Sequence, residues 1–191
     1  MQSRPYRSAI IGLGFIGGAD QVSGDALGQR VDDLDGTHVE TMQRNPRVEL
    51  VAGSSRDRGR RERFAQRTSV RTYDDWREML AKEQPEIVSV ATYAPQHAEI
   101  TVECAARGVQ VIYCEKPIAT TLIDAERMVA ACHASGSLLV VNHNRRFQKN
   151  FRRLRSAMLE VPLGHLSSAS VTWGSGRLGN VGTHFSMHSS L

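Results

Sequence analysis

The 191-residue sequence reads as an α/β protein: a Rossmann-type, doubly wound parallel sheet leading into the start of an incomplete α+β open-sheet domain. Three observations carry this reading. Short apolar runs recur along the chain with helix-patterned stretches between them. The first run passes directly into Gly12-Leu13-Gly14-Phe15-Ile16-Gly17. The rhythm then changes after Val141, where a helical stretch is followed by an alternating, half-polar segment.

The apolar runs predict strands over Tyr6–Ile11, Val48–Ala52, Ile87–Ala91, Val109–Cys114 and Leu138–Val141. They are short and mostly apolar throughout, as strands buried on both faces must be. Helical spacing predicts helices over Asp57–Gln66, Asp74–Lys82, Gln96–Arg107 and Leu122–Ala134, with Gly108 and Gly136 placed to end two of them. Residues 20–36 break the pattern. They carry Asp20, Asp25, Asp32, Asp33 and Asp35 and read as an insertion that either folds away from a phosphate site or acts as a lid, with the first helix resuming near Thr37–Asn45. Beyond Val141, Phe147–Met158 reads as a helix and Leu166–Trp173 as a strand of a second sheet. The predicted boundaries are therefore 1–142 for a nucleotide-binding domain, with its insertion at 20–36, and 143–191 for the beginning of a second, shortened domain.

Composition narrows the function classes. Hydrophobic content of 40% and charged content of 23% are those of an ordinary globular chain. No apolar run reaches the roughly 20 residues of a membrane span. Arg4 and Arg7 before an apolar stretch imitate a signal peptide, but the glycines at 12, 14, 17 and 18 suit a turn better than a signal helix. Cys104, Cys114 and Cys132 have no metal or C-x-x-C spacing, and scattered thiols of this kind point to a reducing, cytoplasmic setting. Of 24 basic residues only Lys82, Lys116 and Lys149 are lysine. The arginines lie beside acids on amphipathic stretches with no aromatic platform between them, which argues for solvated faces over a nucleic-acid surface.

The glycine turn is the strongest chemical signal. Gly12 permits the tight turn out of the strand, Gly14 lets the backbone approach a pyrophosphate, and Gly17 lets the next helix pack closely with its N-terminus toward the negative charge. Phe15 and Ile16 fall within the same turn. The acid that usually ends the second strand and binds a ribose hydroxyl is missing: Ser55 stands at about that place, 43 residues after Gly12 where about 20 is usual. The insertion accounts for most of the excess. A serine followed by Arg56 and Arg58 suits a 2′-phosphate, so the reading favours NADP over NAD, with Asp57 left to reach a ribose or to pair with an arginine. His97 either approaches the nicotinamide side or is an ordinary histidine at a helix start. Arg145 and Arg146 contact cofactor or substrate, or are solvated. His184 and His188 lack the acid of an H-E-x-x-H site, and no metal is expected.

Further motifs follow in order: Ala91-Thr92-Tyr93-Ala94-Pro95-Gln96-His97, Cys114-Glu115-Lys116-Pro117, Asn142-His143-Asn144-Arg145-Arg146-Phe147, and Gly179-Asn180-Val181-Gly182-Thr183-His184. With the glycine turn, this series resembles the Gfo/Idh/MocA family of NAD(P)-dependent oxidoreductases through almost the whole chain. The resemblance implies a Rossmann domain, an open-sheet domain, and hydride transfer between a nicotinamide and a sugar, cyclitol or related polyol. It implies cofactor contacts from Thr92, His97, Glu115, Lys116 and Pro117 beside those already named. It makes Lys116 the residue that hydrogen-bonds the reacting oxygen, and His184 the proton acceptor or donor.

Two departures from the family pattern stand out. Asn180 replaces an aspartate often found four residues before the histidine, and asparagine orients an imidazole without stabilising its charge. The tail from Ser186 loses the family pattern, which is expected of a natural truncation or a reading-frame change. The resemblance also implies a homo-oligomer built through the open sheet, an assembly in question for a shortened sheet. Two other functions stay open: a catalytically inactive nucleotide-binding remnant, and an NAD-dependent glycosidase of the same family.

Overall fold

The computed structural model describes residues 4–22, 36–160, 169–172 and 184–187. The chain divides into two compact units, Met1–His143 and Asn144–Leu191.

The first unit is a six-stranded parallel sheet in the order β3-β2-β1-β4-β5-β6. The strands are β1 (Tyr6–Ile11), β2 (Val48–Ser54), β3 (Arg71–Tyr73), β4 (Ile87–Val90), β5 (Val111–Cys114) and β6 (Leu138–Val141). The helices are α1 (Phe15–Gly18), α2 (His38–Arg44), α3 (Arg58–Thr68), α4 (Trp76–Glu83), α5 (His97–Ala106) and α6 (Leu122–Ser135). The expected doubly wound sheet is therefore present. It includes one strand, β3, that the sequence reading omitted, and β2 runs on to Ser54.

Alternation along β1 shows why the sheet is covered on both sides. Ala9 and Ile11 join a core with Met79 and Leu80 of α4, Ile100 and Cys104 of α5, and Met128 of α6. Ile10 points the other way, into a core with Val39 and Met42 of α2 and Phe64 of α3. Burying both faces at about 25 cal/mol per Å² is the main term that fixes the strand register. Local signals set the helix limits. Asp57, Asp75 and Thr121 each accept a backbone N–H of the first turn of α3, α4 and α6. Gly136 closes α6 at φ 73°.

The glycine turn departs from expectation in one respect. The helix after it, α1, lasts four residues and is stopped by Ala19 in the left-handed region at φ 55°. The next helix among the described residues is α2, close to the expected start. The intervening residues 23–35 of the predicted insertion lie outside the described residues.

In the second unit, α7 (Lys149–Glu160) carries exposed Phe151, Leu154 and Leu159 beside Arg152, Arg153 and Arg155. Strands β7 (Ala169–Thr172) and β8 (His184–Met187) pair antiparallel, with Thr172 opposite His184. The predicted strand at Leu166–Trp173 is thus described over four of its residues, and β8 was not anticipated. No described helix is long and apolar enough to cross a membrane.

Candidate dinucleotide site

Strands β1 and β4 are neighbours, and the chain leaves them toward opposite faces of the sheet. This is the switch point at whose carboxyl edge open α/β sheets bind ligands. Here the structure places a cleft of about 800 Å³. Gly12, Gly14, Phe15 and Ile16 form one wall, Ser55 and Arg56 the second, and Thr92 and Tyr93 the third.

The glycine turn fits a pyrophosphate for reasons of space. Gly12 has φ +103°, and a Cβ there would lie 2.5 Å from the Ala91 carbonyl oxygen and 2.8 Å from the Thr92 nitrogen. A Cβ on Gly17 would overlap the Gly12 carbonyl oxygen. The turn is also tied down: Gly12 N–H donates to Ser54 O at 2.9 Å, and Ala91 N–H to Ile11 O at 2.8 Å. Because α1 is one turn long, an anion at this turn would meet the turn's own backbone amides rather than a long helix dipole. On the opposite wall Thr92 Oγ1 is buried and has no hydrogen-bond partner among the described residues. Thr92 itself lines the cleft, so this buried, orphaned hydroxyl lies on a residue beside the glycine turn.

The loop after β2 sorts the candidate phosphate readers. Asp57 Oδ1 accepts the Arg60 N–H at 2.8 Å, so this carboxylate serves the start of α3. Arg58 projects along α3 to Glu62, with Nε 2.7 Å from Oε1, and does not line the cleft. Arg56 and Arg60 do line it. Arg56 is exposed, and its guanidinium has no hydrogen bond or ion pair among the described residues. Arg61 donates to the Ser55 and Arg56 carbonyls at 2.6 and 3.0 Å and so holds the loop from behind.

Trp76 and Tyr93 also line the cleft, with the Arg77 guanidinium 4.0 Å over the Trp76 ring. Neither aromatic is expected at the site from the sequence, although Tyr93 falls within the Ala91–His97 motif. The available signal for Trp76 was its place at the first turn of α4, directly after the shortest strand.

The motif after β5 lies at the same edge of the sheet. Glu115 is buried at the strand end, while Lys116 is exposed and its side chain has no partner among the described residues. The Lys116–Pro117 peptide is cis. Burial alone would raise the Glu115 carboxyl. Hydrogen bonds from His38, from Asn142 and from the Lys116 N–H outweigh that and hold it below the usual carboxylate range. His97 is 1% exposed, with Nε2 2.9 Å from Thr92 O and Nδ1 3.0 Å from Pro117 O. Of its two sequence readings, the structure gives a buried ring joining two loops, not one open to the cleft.

His184 begins β8 in the second unit. Asn180 and His188 lie outside the described residues. Among the described residues no cluster of His, Cys, Asp or Glu could hold a metal ion.

A parallel sheet of this order with a glycine turn at its switch point defines the class of dinucleotide-binding α/β folds. The chain belongs to the Gfo/Idh/MocA oxidoreductase family, whose NAD-binding Rossmann-fold model matches residues 6–143. It is 34% identical over 160 residues to the D-apiose dehydrogenase of Paraburkholderia graminis, covering 83% of this chain and 38% of that one. It is 30% identical over 127 residues to the trans-1,2-dihydrobenzene-1,2-diol dehydrogenase of Mus musculus, covering 66% and 38%. Among solved structures, GenD2 from gentamicin A biosynthesis, determined in complex with NAD, superposes with a TM-score of 0.68 at 26% identity, covering 84% and 40%. The chain thus spans about two fifths of the length of these relatives.

Proposed function

We propose that this chain binds a nicotinamide dinucleotide in the cleft at the β1/β4 switch point and serves an oxidoreductase acting on a sugar, cyclitol or related polyol. The observation that carries the reading is the Gly12–Gly17 turn, sterically closed to any side chain at Gly12 and Gly17, in a cleft whose far wall includes Thr92. Family membership and the dehydrogenase relatives support the same class.

When bound, the nicotinamide supplies the hydride acceptor or donor. The rest falls to the chain's own groups. The turn amides hold the pyrophosphate, and Thr92 lines the wall across from them. Lys116, exposed at the end of β5, holds the substrate oxygen and its proton. His184 is proposed as the proton acceptor or donor, and Asn180 as the residue that orients it.

For cofactor choice we favour NADP. Ser55 stands where an acid would repel a 2′-phosphate, Asp57 is engaged at the start of α3, and the Arg56 guanidinium is open at the cleft. The phosphate reader is therefore Arg56, with Arg60 beside it, rather than Arg58.

The test is turnover. The chain is incubated with NADP⁺ or NADPH and a panel of aldoses, ketoses and inositols, and the nicotinamide absorbance is followed. Net oxidation or reduction that falls by about 100-fold or more in Lys116→Met supports the assignment. No absorbance change with any member of the panel contradicts it.

A further inference from the structure

Two buried histidines from different helices reach the same three-residue turn. His38, 4% exposed at the first turn of α2, donates from Nε2 to Glu115 Oε1 at 3.0 Å. Its Nδ1 is hydrogen-bonded to Ser89 Oγ on β4, and its ring lies 5.1 Å from that of Tyr113 on β5. Asn142, just past β6, donates to the same Oε1 at 2.6 Å. Glu115 Oε2 accepts the Lys116 backbone N–H at 3.1 Å. His97, from the first turn of α5, meets the other end of the turn at the Pro117 carbonyl and the neighbouring strand end at the Thr92 carbonyl.

We propose that His38 and His97 are positioning residues for Lys116, gripping its turn from both ends so that a mobile side chain leaves from a fixed backbone. The proposal rests on the reading of Lys116 as the residue that handles the substrate oxygen.

The chemistry of each partner set supports this. A carboxylate only accepts, so Glu115 needs donors on both oxygens to remain ionised when buried, and His38, Asn142 and the Lys116 N–H supply them. All three donors are protein groups, so Glu115 acts here as an anchor. The two atoms facing His97 are carbonyl oxygens, which also only accept. The ring donates to both as imidazolium, and as the neutral form it donates to one. In either state it spans the ends of β4 and β5, the two strand ends that carry Thr92 and Lys116. A buried histidine is usually a satisfied core residue. Here two of them, 59 positions apart, find their partners in residues 115 and 117, on either side of an exposed lysine.

The three lysines make the test direct. The full chain is reductively ¹³C-methylated, and the Lys116 resonance is assigned with Lys116→Arg. In His38→Asn, polar but too short to reach Glu115, and in His97→Asn, the Lys116 resonance shifts and broadens while those of Lys82 and Lys149 stay in place. His38→Gln, which keeps an N–H within reach of Oε1, returns it toward the parent position. An unmoved Lys116 resonance in folded His38→Asn and His97→Asn overturns the proposal. Should those variants fail to fold, the unmodified parent decides by hydrogen exchange. The Lys116 amide, on an exposed residue, is protected well beyond its intrinsic rate if the Glu115 anchor holds, and exchange at the intrinsic rate overturns the proposal. Neither readout requires cofactor. Absence of NADPH binding by the parent chain therefore counts against the proposed function, and an unmoved or unprotected Lys116 against the clamp.

Discussion

Asp20 accepts two parallel hydrogen bonds from Arg63, Nε to Oδ1 and Nη2 to Oδ2, each 2.8 Å long, with its carboxylate almost sealed from solvent. Arg60 Nε lies 3.7 Å from the same carboxylate, and Arg67 donates to the Gly18 carbonyl. Positions 60, 63 and 67 share one face of α3, and that face holds the chain where it leaves the glycine turn. Part of the arginine excess is therefore internal wiring of the dinucleotide fold.

Asp20→Ala leaves Arg63 and Arg60 facing each other without the shared carboxylate. We predict a clearly lower melting temperature and weaker NADPH binding, since the turn loses its exit anchor. Thermal unfolding with and without NADPH checks both.

Gly12→Ala forces a Cβ to 2.5 Å from the Ala91 carbonyl at a backbone angle of +103°. The strain costs about 1–3 kcal/mol, and relief by moving the turn closes the phosphate path. NADPH binding is lost while far-UV circular dichroism is kept. Parent-like affinity in this variant would contradict the placement of the pyrophosphate.

Arg56→Ala weakens NADPH binding by about tenfold or more, the worth of a charge-assisted hydrogen bond, and leaves NADH nearly unchanged. Arg58→Ala changes neither, because that side chain is spent on Glu62. Parallel titrations of the two variants with both nucleotides separate these outcomes.

Acid should weaken the fold. Glu83 is held below the usual range by the Tyr73 hydroxyl, with Arg71 and Arg7 nearby, and Glu115 by its three donors against the cost of burial. A carboxyl with a depressed folded value stabilises fully above its unfolded value, about 4.3, and loses that contribution as pH falls through the folded one. Urea midpoints should hold near neutrality and drop below about pH 5. In Glu115→Gln the midpoint is lower at neutral pH, and the acid drop is shallower.

The thiols should be silent in the native chain. Burial pushes Cys114 up to about 12 and raises Cys104 and Cys132 as well. The thiolate is the reactive form, so a colorimetric thiol reagent at about pH 8 reacts slowly with folded protein and rapidly in urea. Fast labelling of native protein would contradict the burial of these side chains.

What the sequence disclosed follows from the range of the forces involved. The apolar strands were legible because burial on both faces writes itself into consecutive residues, as in Ala9-Ile10-Ile11. Strand β3 was not, since three residues at the sheet edge carry no period. The glycine turn was legible because only glycine tolerates the geometry at Gly12. The early end of α1 was not, because Arg63, which captures Asp20, lies 43 positions away. His38 was invisible for the same reason: Ser89 and Glu115 are 51 and 77 positions distant. Arg58 and Arg56 differ in role only through where α3 begins, a boundary set by the Asp57 hydrogen bond to the Arg60 N–H.

Whether the β1/β4 cleft holds a nicotinamide dinucleotide is decided by a fluorescence titration of the purified chain with NADPH and NADH. Saturable binding of both is expected, tighter for NADPH, with loss of both in Gly12→Ala. A folded, monodisperse chain that binds neither nucleotide would contradict it.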